Sequence, residues 1–468
     1  MAINITKKDI IWNYAGNILN IGMNIFLLPV ILLMLNSQEI GLWYVFSSIS
    51  ALAMLIDFGF SPTIMRNVSY SWSGAKELLT EGTMLSELNE KPNYYLLRAI
   101  IVSSKKIYAV LSTVSGLLLF SLGTIYIYSL LPDDKTNSLI AWFIYILATI
   151  INLYYSYWNP LLKGIGAIKE DNQALVISRL TYVVFSIIGL LLGGGLIWLS
   201  LMYLISGVIL RVLAKKYFSK KVRHEDINAD PGNGYSFKTV FSIIWPNAKK
   251  LGVVTIGAWL ITRSTTLICA TYLGLDVTAQ YGLSMQVLGI IGSFSSILFN
   301  SYIPELASLK MSINSNTRYL LIFSRAITTQ WILGIVGILG VVLVGPFALN
   351  IIGSNSTLLP NNILIVLGLV LFLEWNHSTF ATLITMSNTV PFVQASVFSG
   401  VGIVVISLIL LEYTNMGILG VILSQGIIQA SYNNWKWPLW VLRENNITVL
   451  RILKLSFRKI KEVVLKQR

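Results

Sequence analysis

Long uninterrupted apolar runs constrain this chain more than any other feature of its sequence. Most of them are about 20 to 26 residues long, which in helical form is enough to cross a hydrocarbon core of roughly 30 Å. Because water is excluded from that core, only helices or closed barrels can satisfy their backbone hydrogen bonds there. With 55% hydrophobic residues, 12% charged residues and a mean hydropathy of +0.71, the 468-residue chain is too apolar for a water-soluble fold. The sequence therefore predicts an all-α polytopic membrane protein.

Twelve such runs predict twelve transmembrane helices, arranged as two lobes of six. Their predicted bounds are 10–35, 40–65, 107–131, 138–162, 174–192, 196–214, 251–273, 279–303, 319–343, 363–386, 392–411 and 416–441. A basic stretch with the Pro/Gly/Asp-rich segment 224–234 divides the chain near its midpoint. We therefore predict four parts: an N-terminal six-helix lobe, a cytoplasmic linker, a C-terminal six-helix lobe and a basic cytoplasmic tail, over 1–217, 218–248, 249–441 and 442–468 respectively.

The 34 Lys and Arg residues are distributed unequally between the gaps that separate these runs. If the N-terminus is cytoplasmic, 32 of them lie in or beside cytoplasmic gaps, Lys135 lies in an outer gap and Arg263 lies inside the seventh span. The positive-inside rule then places both termini in the cytoplasm. The same distribution argues against nucleic-acid binding despite the net charge of +14, because anionic headgroups attract basic residues beside membrane segments by about 1 kcal/mol each.

Two turns indicate an internal repeat. In 35–44 and again in 273–281 an acidic residue, Glu39 or Asp276, precedes a tyrosine, Tyr44 or Tyr281, by five positions. Six spans is an even number, so such repeats would share one orientation and be related by an axis along the membrane normal, with substrate between the lobes. A chance similarity between two short turns is the alternative.

Polar residues inside apolar spans are costly unless they face a cavity or a partner, so they are the candidate functional residues. In span one, Asn13, Asn17, Asn20 and Asn24 are spaced by 4, 3 and 4 residues and fall on one helical face. Four aligned amides could line a wet cavity and bind sugar hydroxyls. Hydrogen bonding between helices is the alternative role.

The end of span two combines a carboxylate with a guanidinium. Asp57 and Arg66 are nine residues apart, about 13 Å along a regular helix, which is too far for direct pairing without a break. Gly59 and Pro62 could supply that break. The guanidinium of Arg66 offers a planar fork for phosphate oxygens, although a simple cytoplasmic anchor is the alternative.

Arg263 lies close to the predicted midplane of span seven, where a lone arginine costs a few kcal/mol at least. We expect it to face a water-filled path or to neutralise an acid such as Asp57 or Glu374.

In span ten, Glu374 and His377 are three residues apart and share a helical face, so they could relay a proton or bind a cation. A structural pair within the lobe is the alternative. Two such side chains do not make a metal site, and no Gly-x-x-x-x-Gly-Lys-Ser/Thr phosphate loop is present, so we expect no bound metal or cofactor. Asp57, Glu374 and His377 are the candidates for coupling transport to an ion.

The chain resembles a known group in the order and spacing of several motifs. These are Leu-x-Asp-Phe-Gly-Phe-x-Pro-x-x-x-Arg at 55–66, the turn at 273–282 and Tyr-Ile-Pro-Glu-Leu at 302–306. With twelve spans in two lobes, they resemble the O-antigen and polysaccharide flippases of the multidrug/oligosaccharidyl-lipid/polysaccharide exporter superfamily over essentially the whole chain.

This resemblance implies alternating access that moves an undecaprenyl-pyrophosphate-linked oligosaccharide, such as an O-antigen repeat unit, across the bacterial inner membrane. It implies a cationic cavity for the pyrophosphate, a role that Arg66 and Arg263 fit by position. Span one carries Asn where some relatives that flip cell-wall precursors carry Arg, which favours a glycan-facing surface. The implied partners are the lipid-linked glycan, membrane lipids and other polysaccharide-assembly proteins.

Two other functions would suit parts of the pattern. An ion-coupled multidrug exporter of the same superfamily would share the architecture but would place carboxylates, rather than arginines, in its substrate path. A glycan polymerase or glycosyltransferase would need a long outer loop or a paired catalytic constellation, and neither is visible. We therefore expect a transporter and not an enzyme.

Overall fold

The computed structural model describes residues 26–55, 57, 59–78, 92–131, 136–222, 236–310, 316–385 and 391–457. All regular elements in these ranges are helices. They form two compact units, one within Met1–Trp259 and the other within Leu260–Arg468. The asparagine stripe of span one and Lys135 lie outside the described residues.

The described part of the first unit contains helices α1 to α10. Their bounds are 26–34 for α1, then α2 Ser37–Leu55, α3 Phe60–Trp72, α4 Tyr94–Leu118, α5 Thr124–Leu130, α6 Thr136–Tyr154, α7 Trp158–Gly164, α8 Ile168–Leu191, α9 Gly195–Lys221 and α10 Phe237–Thr262, which crosses into the second unit. A π-helical turn, Leu119–Gly123, joins α4 to α5, and a 3-10 turn, Tyr155–Tyr157, joins α6 to α7.

The second unit continues with α11 to α17. Their bounds are α11 Ser264–Lys310, α12 Asn316–Ile352, α13 Asn361–Thr385, α14 Val393–Tyr413, α15 Ile418–Ser431, α16 Asn433–Glu444 and α17 Val449–Ser456.

Within the described ranges, eight helical segments are long and apolar enough to cross a membrane. They are Tyr94–Leu130, Thr136–Gly164, Ile168–Leu191, Gly195–Lys221, Gly252–Ile303, Thr317–Ile352, Asn361–Thr385 and Val393–Tyr413. Three of the twelve predicted spans are not among these eight segments: span one is only partly described, and spans two and twelve are each divided into shorter helices. The count falls by one more because predicted spans seven and eight form a single segment.

The break in span two lies where the sequence predicts it. Gly59 adopts a left-handed conformation, φ 73° and ψ 18°, at the N-terminus of α3, a conformation that glycine adopts without steric cost. The carbonyl of Asp57 accepts from the Phe60 amide at 2.8 Å, and Pro62 lies in the first turn of α3, where its missing N–H breaks no helical hydrogen bond. A break at Gly59 therefore separates α2 from α3.

The predicted turn between spans seven and eight is shorter in the structure. The helical φ/ψ pattern is interrupted only at Gly274, with φ 83° and ψ 173°, and residues 275–278, which the apolar pattern leaves in a turn, are helical. Thr278 Oγ1 donates to the Gly274 carbonyl at 2.7 Å, so a side chain of the following turn also binds the backbone at the break. A single glycine thus replaces the predicted loop.

The π-helical turn between α4 and α5 is fixed by a neighbouring tryptophan. Thr124 Oγ1 donates to the Leu119 carbonyl, five residues earlier, at 3.2 Å and accepts from Trp142 Nε1 of α6 at 3.1 Å. The Leu119 carbonyl, at the start of the wider turn, therefore has the Thr124 hydroxyl as a side-chain donor.

Close glycine contacts hold α3 against α7. A Cβ added to Gly164 would lie 2.5 Å from Val68 Cγ1 and 2.8 Å from the Met65 carbonyl oxygen. Ser69 Oγ donates to the Gly164 carbonyl at 3.0 Å. Small residues allow backbones to approach this closely in membrane proteins, where helix association depends on packing. This contact fixes the position of α3, the helix that carries Arg66.

We expect Gly164→Ala to destabilise the protein by about 1–3 kcal/mol, because the added methyl group overlaps a backbone oxygen as well as a side chain. The measurement is thermal unfolding of purified protein in detergent. Gly289→Ala is the matched control, since a Cβ at this helical glycine has nothing within 4 Å. Equal unfolding temperatures for the two variants would contradict the proposed packing.

Candidate functional site

Asp57 lies at the break before α3 and is held by neutral donors. The hydroxyl of Tyr108, a fully buried residue of α4, donates to its carboxylate. The Ser61 amide donates to the other carboxylate oxygen at 3.3 Å. The sequence leaves Asp57 without a partner because Tyr108 is 51 residues away and carries no charge. The carboxylate thus closes a contact between the α2–α3 break and α4.

A second polar cluster links α7, α8 and α9 in the same unit. Arg211 of α9 donates to Asn159 Oδ1, and Asn159 Nδ2 donates to Asp171 Oδ1 at 2.7 Å. Lys163 Nζ lies 3.2 Å from Asp171 Oδ2. Arg211 also interacts electrostatically with Asp57, so the two clusters are neighbours. Asn159 bridges a cation and a carboxylate with its two ends.

Arg211 has a structural contact that the charge distribution does not reveal. The count of Lys and Arg residues by gap places Arg211 at the start of a cytoplasmic basic stretch. In the structure its guanidinium donates to Asn159, and its buried Nε atom has no hydrogen-bond acceptor among the described residues. Position relative to an apolar run shows which side a cation is on, but not whether it points inward.

Arg66 lies on the exposed face of α3. The opposite face, which includes Ile64 and Val68, is buried in the core of the first unit. Arg66 and Pro62, one turn earlier, are exposed. No described residue forms an ion pair with the Arg66 guanidinium, and Asp57 binds Tyr108 and Ser61 instead. The fork of Arg66 is therefore available to a ligand.

Arg263 lies at the junction between α10 and α11 and is also exposed. Its carbonyl accepts from the Thr266 amide at 3.2 Å, while the next residues turn inward, with Thr265 Oγ1 accepting from the buried Tyr281 hydroxyl at 3.0 Å. Within the described part of the second unit its guanidinium forms no ion pair, with Glu374 or any other carboxylate. The helix junction leaves this cation accessible.

Glu374 and His377 both lie on α13, but each has its own partner. Gln425 of α15 donates from Nε2 to Glu374 Oε2 at 2.6 Å. His377 Nδ1 lies 2.8 Å from Asn434 Oδ1 of α16, which makes this ring nitrogen the donor. The two residues thus connect α13 to successive helices, α15 and α16.

More hydrogen bonds surround this pair. Trp331 Nε1 of α12 donates to Asn376 Oδ1 at 2.8 Å, and Thr379 Oγ1 donates to Gln330 Oε1 at 2.9 Å. Gln330 Nε2 donates in turn to the Trp375 carbonyl at 3.3 Å. The polar side chains of α13 therefore bind three other helices of the second unit, α12, α15 and α16. Among the described residues, no three His, Cys, Asp or Glu side chains are placed to hold a metal ion.

Comparison with solved structures identifies the fold. The chain is similar to the lipid II flippase MurJ in an inward closed conformation, with 14% identity and a TM-score of 0.62 over 96% of this chain and 89% of that one. It is similar to an inward-facing MATE family multidrug resistance transporter of the MOP superfamily, with 15% identity and a TM-score of 0.59 over 95% and 98% of the two chains. It is also similar to an outward-facing MATE family transporter, with 14% identity and a TM-score of 0.52 over 97% of this chain and 100% of that one.

No protein-family profile and no curated protein match the sequence. At these identities the structural likenesses establish the fold alone, which this chain shares with an inward-facing MATE family transporter and with the lipid II flippase MurJ. The prediction of an all-α, multi-pass membrane protein is confirmed.

We expect Asn159→Ala to destabilise the first unit by about 1–3 kcal/mol, because it leaves Arg211 without its acceptor and Asp171 without an amide donor. Asn172→Ala is the control, since the Asn172 amide donates only to the carbonyl of Ile168 in its own helix, at 2.9 Å. Thermal unfolding in detergent measures both. If Asn159→Ala lowers the unfolding temperature no more than Asn172→Ala does, the Asn159 bridge does not stabilise the unit.

Proposed function

We propose that this protein is a flippase that moves an undecaprenyl-pyrophosphate-linked oligosaccharide, such as an O-antigen repeat unit, across the bacterial inner membrane. The observation that supports this is the contrast between its charges. Arg66 and Arg263 are exposed and have no ion pair among the described residues, whereas the carboxylates of Asp57 and Glu374 are occupied by Tyr108 and Gln425. Of these four charged groups, the two that can still bind a ligand are therefore the arginine cations.

An available guanidinium selects an anionic ligand. Its planar fork can form two parallel hydrogen bonds with oxygens of one phosphate group, and such charge-assisted bonds are about twice as strong as neutral ones. A pyrophosphate linked to a long isoprenoid offers these oxygens, while the tail stays in the bilayer and the glycan needs a polar surface. Asn13, Asn17, Asn20 and Asn24, which lie outside the described residues, are proposed to provide that surface.

Alternating access between the two lobes is the proposed mode of transport. The fold is shared with structures in both inward-facing and outward-facing conformations. The proposed topology has both termini in the cytoplasm, as the Lys and Arg distribution predicts. The proposed partners are the lipid-linked glycan, membrane lipids and other polysaccharide-assembly proteins.

Asp57, Glu374 and His377 are the proposed groups for ion coupling. Glu374 faces the amide of Gln425, whose nitrogen donates to an ionised carboxylate and whose oxygen can accept from a protonated one. The site can therefore be satisfied in both protonation states after an amide rotation. An ion-coupled multidrug exporter is the second candidate, favoured by this carboxylate, and it would depend on Glu374 more than on either arginine.

We expect Arg66→Ala and Arg263→Ala to reduce surface glycan in a bacterial strain that lacks its own lipid-linked-glycan flippase and is complemented with this chain. Losing a charged hydrogen-bond partner weakens binding by about 1.5–3 kcal/mol, or roughly 10- to 150-fold. Arg66→Lys and Arg263→Lys should recover only part of the function, because an ammonium cannot form the bidentate contact.

Arg451→Ala is the control for lost charge, since Arg451 is an exposed cation of α17 outside the proposed site. All variants are compared at equal membrane abundance. Normal surface glycan in both Arg→Ala variants, with rescue by the wild type, would rule out the cationic site. Drug resistance without glycan rescue would favour the exporter.

We expect Glu374→Gln to remove the dependence of transport on a proton or sodium gradient, because the amide cannot change charge. The measurement is the movement of the lipid-linked glycan across the membrane of vesicles that contain the protein, before and after an ionophore collapses the gradient. Gln425→Glu, which alters the same contact but adds a titratable group, is the companion variant. Wild-type transport that continues unchanged after collapse of both gradients would argue against ion coupling at this residue.

A further inference from the structure

Helix α16 presents two chemically different faces. Asn433, Trp437 and Val441 recur every four residues and are at most 4% exposed, packed in the core of the second unit. Another face carries Trp435, Leu439 and Trp440, which are 47%, 40% and 43% exposed. Two large indole rings and a leucine are costly to expose to bulk water, so this face is expected to contact lipid, a ligand or another protein.

Two cations lie among these exposed aromatic residues without a carboxylate partner. Lys436 Nζ lies 6.0 Å from the ring centre of Tyr432 and 5.9 Å from that of Trp440, and Arg443 is exposed two turns further along the helix. Neither cation forms an ion pair with a described residue. The ring contacts hold the ammonium of Lys436 in place and leave its hydrogen-bond donors free.

These side chains line one cleft. It has a volume of about 320 Å³ and is bounded by Trp435, Lys436, Leu439, Trp440, Arg443 and Glu444. Its two cations outnumber its single carboxylate, at the end of α16. The indole of Trp435 is fixed by a hydrogen bond from Nε1 to the Ser431 carbonyl at 3.1 Å, so this wall of the cleft is ordered before any ligand arrives.

The next helix indicates that the cleft lies at the membrane surface. In α17, Ile452 is fully buried in the same core, whereas Leu450 is 71% exposed and Phe457, just after the helix, is 78% exposed. Arg451 and Lys454 are exposed beside them. Exposed apolar and basic residues on one short helix are typical of an element lying in the headgroup region. Tryptophan and basic residues are enriched at the same depth.

We propose that this cleft is a binding site for an anionic phospholipid of the cytoplasmic leaflet. Lys436 and Arg443 bind the phosphodiester, the rings of Trp435 and Trp440 lie at the level of the glycerol, and an acyl chain lies along Leu439. The charge of the cleft favours anionic over zwitterionic lipids. The site lies on the outer surface of the second unit and is independent of Arg66 and Arg263, so it goes beyond the proposed flippase activity.

Native mass spectrometry of the full-length protein tests this site. Purified protein is incubated with equal amounts of phosphatidylglycerol and phosphatidylcholine, and the retained lipids are counted. We expect the wild type to retain phosphatidylglycerol in preference to phosphatidylcholine. In the double variant Lys436→Gln/Arg443→Gln the ratio of retained phosphatidylglycerol to phosphatidylcholine should fall by about 10- to 30-fold. Lys215→Gln/Lys216→Gln, which removes two exposed cations from α9, should keep it.

Two further measurements separate a specific lipid site from general attraction of anions to a basic surface. Arg443→Gln alone, at an exposed position near the end of α16, should lose part of the preference and provides the test if the double variant does not fold. Excess inorganic phosphate should not displace the lipid, because it lacks an acyl chain.

Three outcomes would overturn the proposal. They are an unchanged lipid preference in the Lys436→Gln/Arg443→Gln variant, an equal loss in the α9 control, and displacement by phosphate alone.

Discussion

Exclusion of water from the hydrocarbon core is the constraint on which the rest of this structure depends. A polar group there must find its partner inside the protein, and an unsatisfied one costs several kcal/mol. The Tyr108 hydroxyl meets that requirement for Asp57, and the Gln425 amide meets it for Glu374. The same requirement brings separate elements together, because the first bond joins the α2–α3 break to α4 and the second joins α13 to α15. Polar residues therefore specify how the helices are arranged, while the apolar surface places them in the membrane.

This constraint also divides the charged residues into two classes. Asp171 and Arg211 are bound by neighbours within the first unit and serve its internal structure. Arg66 and Arg263 lie on exposed positions at or after helix breaks, where the backbone changes direction and the neighbouring helix does not cover the side chain. Arg263 lies inside an apolar span and is exposed, and such a cation is stable only beside water or an anion. The proposed flippase activity depends on this second class.

The sequence predicts the helical segments well because hydropathy is a local property, read within a window of about 20 residues. The break at Gly59 was also predictable, since glycine and proline act on their own backbone. The partners of Asp57 and Glu374 were not, because each lies 51 residues away and is uncharged. The contact between Arg211 and Asn159 was not predictable either, because the charge distribution shows on which side of the membrane a cation lies but not where its side chain points. The function of Arg66, Arg263 and the asparagine stripe stays a prediction.

The π-helical turn Leu119–Gly123 makes the long segment Tyr94–Leu130 unusually tolerant of one kind of change. A π turn contains one residue more than the α-helical turn it replaces, so the helix on either side keeps the faces it would have without that residue. Deleting one residue here would restore a regular helix with the same outward and inward sides. Deletion elsewhere in the segment would rotate everything beyond it by about 100° and turn lipid-facing side chains into the protein. Variation in chain length among related sequences should therefore concentrate at this turn.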